Sequence, residues 1–359
     1  MRGFKMEPWI LGTNFNRVCV VDTFESLIWT DRFFQNGDFE LYVSLDQDAL
    51  KFLDMADYYL VLNDSEHVMI IERFQLDTDS EAGPHLKVTG RSLESILSRR
   101  IIWGQVALTG NLQNGIKQLI DSSIISPDIT DRKIPNFVFE VSTDPIITAL
   151  TVDAQYYGDN LYDVIQKLCE TNKIGFKITM TSDNIFVFKL YTGIDRSYNQ
   201  EINPHVIFSP DFDNLSNSSY VRSKDSFKNV TMVAGEGEGS ARKIVSIGSG
   251  VGLDRREIFT DASGVSSNVN GTTISDSEYS AQLTQKGTET INSNQEIQTF
   301  DGTADVKTET LYVYGRDFFM GDIVQIVNEY GLEASSRVVE LIHSQSSSDV
   351  ETYPTFASA

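Results

Sequence analysis

The chain has 359 residues, 40% hydrophobic and 22% charged, an ordinary balance for a folded protein of about two to four domains. Its 29 Lys and Arg against 51 Asp and Glu give a net charge of −22, spread along the chain and not gathered in a tail. Sequence-independent affinity for nucleic acid comes from Lys and Arg displacing counterions, so this balance excludes DNA binding as the activity.

The first hundred residues read as strands. Phe39, Leu41, Val43 and Leu45 alternate with Glu40, Tyr42 and Ser44, a period of two with one buried face. Asn36-Gly37 before them is a turn signal. Further strands are expected over 58–63, 68–76 and 86–90. A short helix follows at 92–98, with Ser92 as its N-cap and Leu93, Ile96 and Leu97 on one face.

The texture turns helical from about residue 105. Leu112, Ile116, Leu119 and Ile120 have helical spacing. Leu161, Val164, Ile165, Leu168 and Cys169 follow the i, i+3, i+4, i+7, i+8 pattern of the strongest helix, capped by Asn160 and expected to stop at Gly175. A hairpin follows, with Phe176, Ile178 and Met180 on one strand, a turn at Ser182-Asp183-Asn184, and a return over 185–191.

Residues 195–204 read as a linker, because the apolar density drops there. Strands resume at 206–208, 220–224 and 230–234. The polar stretch 261–276 reads as a surface excursion or mobile loop. A polar helix over 282–297 should sit outside the core. The chain closes on strands at 311–315, 323–327 and 336–343, with a turn at Glu329-Tyr330-Gly331-Leu332. The fold class expected is α+β and β-dominated. Residues 1–104 form a first β-barrel domain and 105–203 an α+β subdomain. Residues 204–260 and 300–359 form a second β-barrel, and 261–299 a polar peripheral insertion.

A search for chemistry returns little. His67, His85, His205 and His343 have no His or Cys at ligand spacing, and HExxH, CxxC and G-x-S-x-G patterns are absent. Cys19, within Val18-Cys19-Val20-Val21, and Cys169 are far apart and are expected to be buried thiols, not a disulfide. Glu236 and Glu238, inside Gly235-Glu236-Gly237-Glu238-Gly239, are the most tempting carboxylate pair for glycoside hydrolysis, but a solvated turn explains them. This run and Gly248-Ser249-Gly250-Val251-Gly252 open no apolar helix, so no helix N-terminus faces a phosphate. Glycine there serves positive φ or a close approach of two backbones. The expectation is no catalytic, cofactor-binding or metal-binding residue. The pairs Tyr58-Tyr59 and Phe33-Phe34 and the run Phe318-Phe319-Met320 put large side chains at neighbouring positions, as either an interface or a strand buried on both faces would. No signal peptide is apparent, and no apolar run reaches the roughly 18 residues of a membrane span. Synthesis and folding in a cytoplasm are expected.

Five segments together resemble the tail-hub, or baseplate-hub, proteins of long-tailed phages of the siphovirus type. They are Gly37-Asp38-Phe39-Glu40-Leu41, Gly90-Arg91-Ser92-Leu93, Leu161-Tyr162-Asp163-Val164-Ile165, Gly321-Asp322-Ile323-Val324 and Arg337-Val338-Val339-Glu340, with Pro354-Thr355-Phe356 at the end. The resemblance spans essentially the whole chain. It implies two tube-like barrels per subunit and a homotrimer forming a pseudo-sixfold ring in the virion, at the tail tip. The implied partners are a distal tail or tail-tube protein, tail-tip receptor-binding proteins, and DNA that passes without specific binding. The negative charge then serves either solubility or an acidic channel wall. A receptor- or carbohydrate-binding module, motivated by the aromatics and the loop 261–276, is the alternative. A tail-associated wall-degrading enzyme is the third reading.

Overall fold

The computed structural model describes residues 6–45, 49–63, 65–79, 83–304, 311–346 and 350–358. The N-terminal part supplies strands β1 (Pro8–Leu11), β2 (Arg17–Val20), β3 (Ser26–Arg32), β4 (Asp38–Ser44), β5 (Tyr59–Leu62), β6 (Val68–Asp79) and β7 (Gly83–Ser92). A helical stretch follows, with β8 (Gln105–Asn111), α1 (Leu112–Ile120), β9 (Phe137–Glu140), α2 (Pro145–Ala149), β10 (Thr151–Tyr157), α3 (Leu161–Thr171), β11 (Gly175–Met180) and β12 (Phe186–Tyr191). Next come β13 (Ile207–Phe208), β14 (Leu215–Ser223), β15 (Val230–Ala234), β16 (Ile244–Gly248), β17 (Glu257–Asp261), β18 (Asn268–Val269), β19 (Thr272–Thr273) and α4 (Asp276–Asn292). The chain finishes with β20 (Ile297–Ala304), β21 (Ile323–Val327), β22 (Glu333–Ser346) and β23 (Val350–Ser358).

One sheet joins the two ends of the chain. Its order is β13-β21-β22-β3-β4-β7-β6-β5-β1-β2, with β23 also on β22. The 14-residue β22 makes this possible. Residues 333–337 pair β21, residues 340–346 pair β3, and 336–345 pair β23. Because 336 and 337 have both β21 and β23 as partners, those two strands lie on opposite edges of β22. The path ends at β2 and β13, and among the described residues no sheet closes into a barrel. The fold is β-dominated, as expected, but the first and last β regions share one continuous open sheet.

Strand periodicity sorts side chains between cores. Met69 and Ile71 of β6 join Ile10, Trp29, Phe39 and Leu41 on one face, while Val68 and Ile70 join the helical unit on the other. That helical unit packs α1 and α3, through Leu112, Ile116, Leu161 and Leu168, against Phe176 and Phe188 of the β11–β12 hairpin. A third core holds Phe33, Phe208, Phe318, Val324, Val338 and Phe356.

Several expectations need correction. Within 204–260, placed with the second β unit, strands β15, β16 and β17 pair in a separate sheet of order β16-β15-β17, covered by α4. The polar helix begins at 276, not 282, and Tyr279, Gln282, Leu283, Gly287 and Glu289 are buried. Its few apolar residues suffice because Gly287 lets the helix approach the sheet closely: a Cβ there would lie 2.6 Å from Val233 Cγ2. The stretch 261–276 is not a free loop, since Ala262 and Val265 are buried and β18 pairs β19. The left-handed residue after α3 is Lys173, at φ 57°, and Gly175 starts β11. Ser92 precedes a 3-10 turn at Leu93–Arg99, and its hydroxyl makes no cap hydrogen bond. Residues 311–315 form no strand; an isolated bridge pairs Tyr314 with Phe318 across a turn at Gly315. The supposed linker is docked, with Asp195 bridging Ile323 and Arg196 and Ser197 buried.

Candidate functional site

The five resembling segments, spread over 300 residues of sequence, are linked in space: Gly321 and Arg337 pack on Phe33, and the others attach through its neighbours Arg32 and Asn36 and through strand pairing. Strands β4 and β7 bring the first two together: Asp38 pairs Arg91 and Phe39 pairs Gly90. The Gly37 amide donates to Ser92 Oγ at 2.7 Å, and the Ser92 amide donates to the Gly37 carbonyl at 2.9 Å. That use of the hydroxyl is why Ser92 does not cap. Its own proton goes to Glu94, whose other carboxylate oxygen accepts the Ile178 amide at 2.6 Å. The third segment attaches through Tyr162, whose hydroxyl accepts the Asn36 amide at 2.9 Å.

The last two segments close the joint from the other side. Asp322 is 2% exposed, and its carboxylate accepts from the Ile194 amide at 2.6 Å, Arg196 Nε at 2.7 Å and the Phe319 amide at 3.0 Å. Gly321 has φ +90°, and a Cβ there would lie 2.3 Å from Phe33 Cε2. Both facts demand glycine. Gly175 also packs on this ring, where a Cβ would fall 2.5 Å from Phe33 Cδ2 and Cε2. Arg337 Nη1 donates to the Gly321 carbonyl at 2.7 Å, and its guanidinium lies 5.5 Å from the Phe33 ring centroid. Burial pushes the Arg337 guanidinium pKa down. Arg32, one residue before Phe33, donates to Glu340 at 2.6 Å and to Asp38. Burial works against that charge, but the two carboxylates outweigh it and raise the Arg32 pKa. This joint binds the N-terminal sheet, the helical unit and the C-terminal hairpin into one body. Phe33, Arg32 and Arg196 were not singled out for this role by local pattern. The Phe33-Phe34 pair was the one visible signal: Phe33 is fully buried and Phe34 half-buried.

The residues weighed for chemistry have structural surroundings. His67 Nδ1 lies 4.0 Å from Asp31, His85 pairs Glu25 at 3.0 Å, His205 meets the Gln200 carbonyl and His343 bonds Thr352. Among the described residues no group of three or more His, Cys, Asp or Glu could hold a metal. Glu236 accepts from the Ser267 amide at 2.9 Å and Ser266 Oγ at 3.0 Å, and those bonds hold its carboxyl below the usual range. Ser266 in turn accepts from and donates to Gln155, so the polar stretch is tied to β10. Gly248, at φ +90°, runs against the Asn229 carbonyl, a close backbone approach of the kind its glycine run implies. Cys19 and Cys169 are free thiols; Cys169 is fully buried, while Cys19 is half-exposed. Among the described residues no helix is long and apolar enough to cross a membrane.

Solved structures with the same fold include tail proteins, two of them from prophages. A tail protein from Neisseria meningitidis superposes with a TM-score of 0.57 at 13% identity, over 99% of this chain and 97% of the other. The prophage MuSo2 43 kDa tail protein from Shewanella oneidensis gives 0.57 at 9% identity, over 98% of each chain. The prophage tail protein gp18 from Listeria monocytogenes gives 0.53 at 12% identity, over 98% and 94%. A comparison with curated proteins gives no match. The profile of the Siphovirus ReqiPepy6 Gp37-like proteins matches residues 7–356. The chain belongs to that siphovirus family, and its fold is that of phage tail proteins.

Proposed function

We propose that this protein is a structural tail hub, three copies of which form a pseudo-sixfold ring at the tail tip. The observation that carries the reading is the open sheet. Among the described residues the edge strand β2 pairs with β1 alone, and Val18 and Val20 are 49% and 38% exposed. An edge of unpaired N–H and C=O groups is a template for another chain, and barrels abolish such edges. Neighbouring copies would complete the wall that one chain leaves open, residues 1–104 and the second β region each contributing one tube-like unit. Heterologous contacts of this kind close into rings. The ring would join the tail tube or distal tail protein to the tail tip and its receptor-binding proteins. DNA would cross a lumen whose acidic wall repels phosphate. The role is mechanical, not enzymatic.

Native mass spectrometry of the full chain should give a trimer, and negative-stain images a ring. A monomer at high concentration would overturn the reading. The receptor-binding alternative rested on exposed aromatics and on the polar stretch 261–276, and that stretch is anchored to Gln155 and, through Asn268 and Asn270, to Gln105.

A further inference from the structure

The β16-β15-β17 sheet and α4, within residues 230–292, leave the body and return to it through one two-stranded ribbon, β14 with β20. Leu215, at one end of that ribbon, belongs to the third core. At the other end Ser223 pairs Ile297, next to the α4 unit. Between them the ladder slips its register from Ser216 to Ser219. Such a bulge is where a strand bends. The unit carries its own apolar cluster of Val233, Ala262, Val265, Tyr279 and Leu283, separate from the cluster of the helical unit beside it.

The seam between the α4 unit and the helical unit is built from polar groups. Tyr279, Leu283 and Gly287 of α4, at i, i+4 and i+8, face its own sheet. Gln282, Lys286 and Glu289, at i, i+4 and i+7, form a second stripe. Lys286 Nζ lies 4.9 Å from the Tyr156 ring centroid on β10. The Glu289 carboxylate is fully buried, 3.2 Å from Lys167 Nζ on α3 and 3.9 Å from Lys286 Nζ, and accepts from Gln285 Nε2 at 3.2 Å. Gln155 and Gln105 add hydrogen bonds to the backbone of Ser266, Asn268 and Asn270. Closing this seam takes a carboxylate out of water, which is favourable only while its cations stay close. It also buries Gln282 Oε1, which has no hydrogen-bond partner among the described residues. An unpaired buried oxygen is costly, and water satisfies it when the seam opens. Polar contacts between units of one chain permit relative motion. We propose that the α4 unit is an arm hinged at the β14 bulge, which swings off the helical unit as a body and is held shut by Glu289 against Lys167 and Lys286. The device goes beyond the ring reading and is the same in a single chain or an assembly.

Hydrogen exchange on the full chain tests it. The Ser266 and Asn270 amides donate across the seam to Gln155 and Gln105, so opening frees them without unfolding α4. They should exchange faster than the amides of α4 around Leu283. Lys167 is exposed, so Lys167→Ala leaves the fold intact but strands the Glu289 carboxylate. It should speed exchange at 266 and 270 by about tenfold, with α4 unchanged, and Lys167→Arg should restore the wild-type rate. Glu289→Met with Gln282→Leu makes the stripe apolar and should slow the same two amides. Distances give a second measurement. Spin labels at Gln118→Cys and Thr284→Cys, both exposed, in a Cys19→Ser background and diluted with unlabelled protein, read the gap within one chain. Lys167→Ala should add a longer distance, and the apolar pair should leave one short distance. If 266 and 270 exchange in step with α4, the unit unfolds instead of swinging and the proposal is overturned. It is equally overturned if Lys167→Ala lowers the urea midpoint of the whole chain while exchange at the seam and the label distances stay as in wild type. Neither result touches the ring reading, which the oligomeric state decides.

Discussion

The joint around Phe33 and the α4 unit solve the same problem with different means. At the joint, three elements from distant parts of the chain bury a full phenyl ring against two glycines, with Arg337 alongside. Asp322 alone accepts three hydrogen bonds there, two from backbone amides and one from Arg196 Nε. The α4 unit has a small core of Val233, Ala262, Val265, Tyr279 and Leu283, and leaves its other sheet face to solvent. Its stability leans on polar ties: the Ser275–Glu278 capping box, the buried Glu289 carboxylate 3.2 Å from Lys167, and the Gln155–Ser266 bonds. A small core with an open apolar face suits a unit that another surface completes. A dense joint suits a body that must hold its shape.

Breaking the joint should have the largest effect. Phe33→Ala removes a fully buried ring that Gly175 and Gly321 have no side chains to replace. It should cost roughly 3–5 kcal/mol, read as a lowered urea midpoint of the whole chain. Gly321→Val, with a positive φ and a clash into the same ring, should match or exceed it. In the α4 unit, Leu283→Ala should cost roughly 2–5 kcal/mol locally. Hydrogen exchange should then rise across 230–292 while the joint keeps its protection; a uniform rise would mean that the two regions unfold together. Ser275→Ala removes the cap hydroxyl and should cost about 0.5–2 kcal/mol, with faster exchange confined to the first turns of α4.

The smallest effect expected is a pH dependence. Burial lowers the pKa of His343 below its ordinary 6.5, against a smaller raising influence from Asp31. The folded state therefore binds a proton less readily than the unfolded chain. Stability from this group is complete above about pH 6.5 and falls as pH drops below that. Thermal melts from pH 7.5 to 5 should decline, and His343→Gln, which can still bond Thr352, should flatten the acid side of the curve. An unchanged slope would assign the decline to other groups.

Much of this was legible locally. The alternation at 38–45, the 161–171 helix with its Asn160 cap and the 176–191 hairpin follow from periods of 2 and 3.6. What escaped has physical reasons. Strand β23 contains Pro354, which cannot donate to a ladder and argues against a strand, yet it pairs Leu341 at the sheet's margin. The α4 helix hides because polar and small residues, Gln282, Gly287 and Glu289, occupy its buried face. The Phe33 joint hides because its partners lie at 175, 321 and 337, and no local window contains them. Two of the segments that carried the resemblance, at Gly321 and Arg337, pack on that ring, and the others connect to it through Arg32 and Asn36.

The central claim is that other copies complete the open sheet edge. Hydrogen exchange of the peptide covering 17–20 tests it directly, measured as a function of protein concentration. Protection of β2 should appear as the oligomer forms and vanish on dilution to monomer. Exchange that is equally fast in the assembled and dissociated protein would contradict the account.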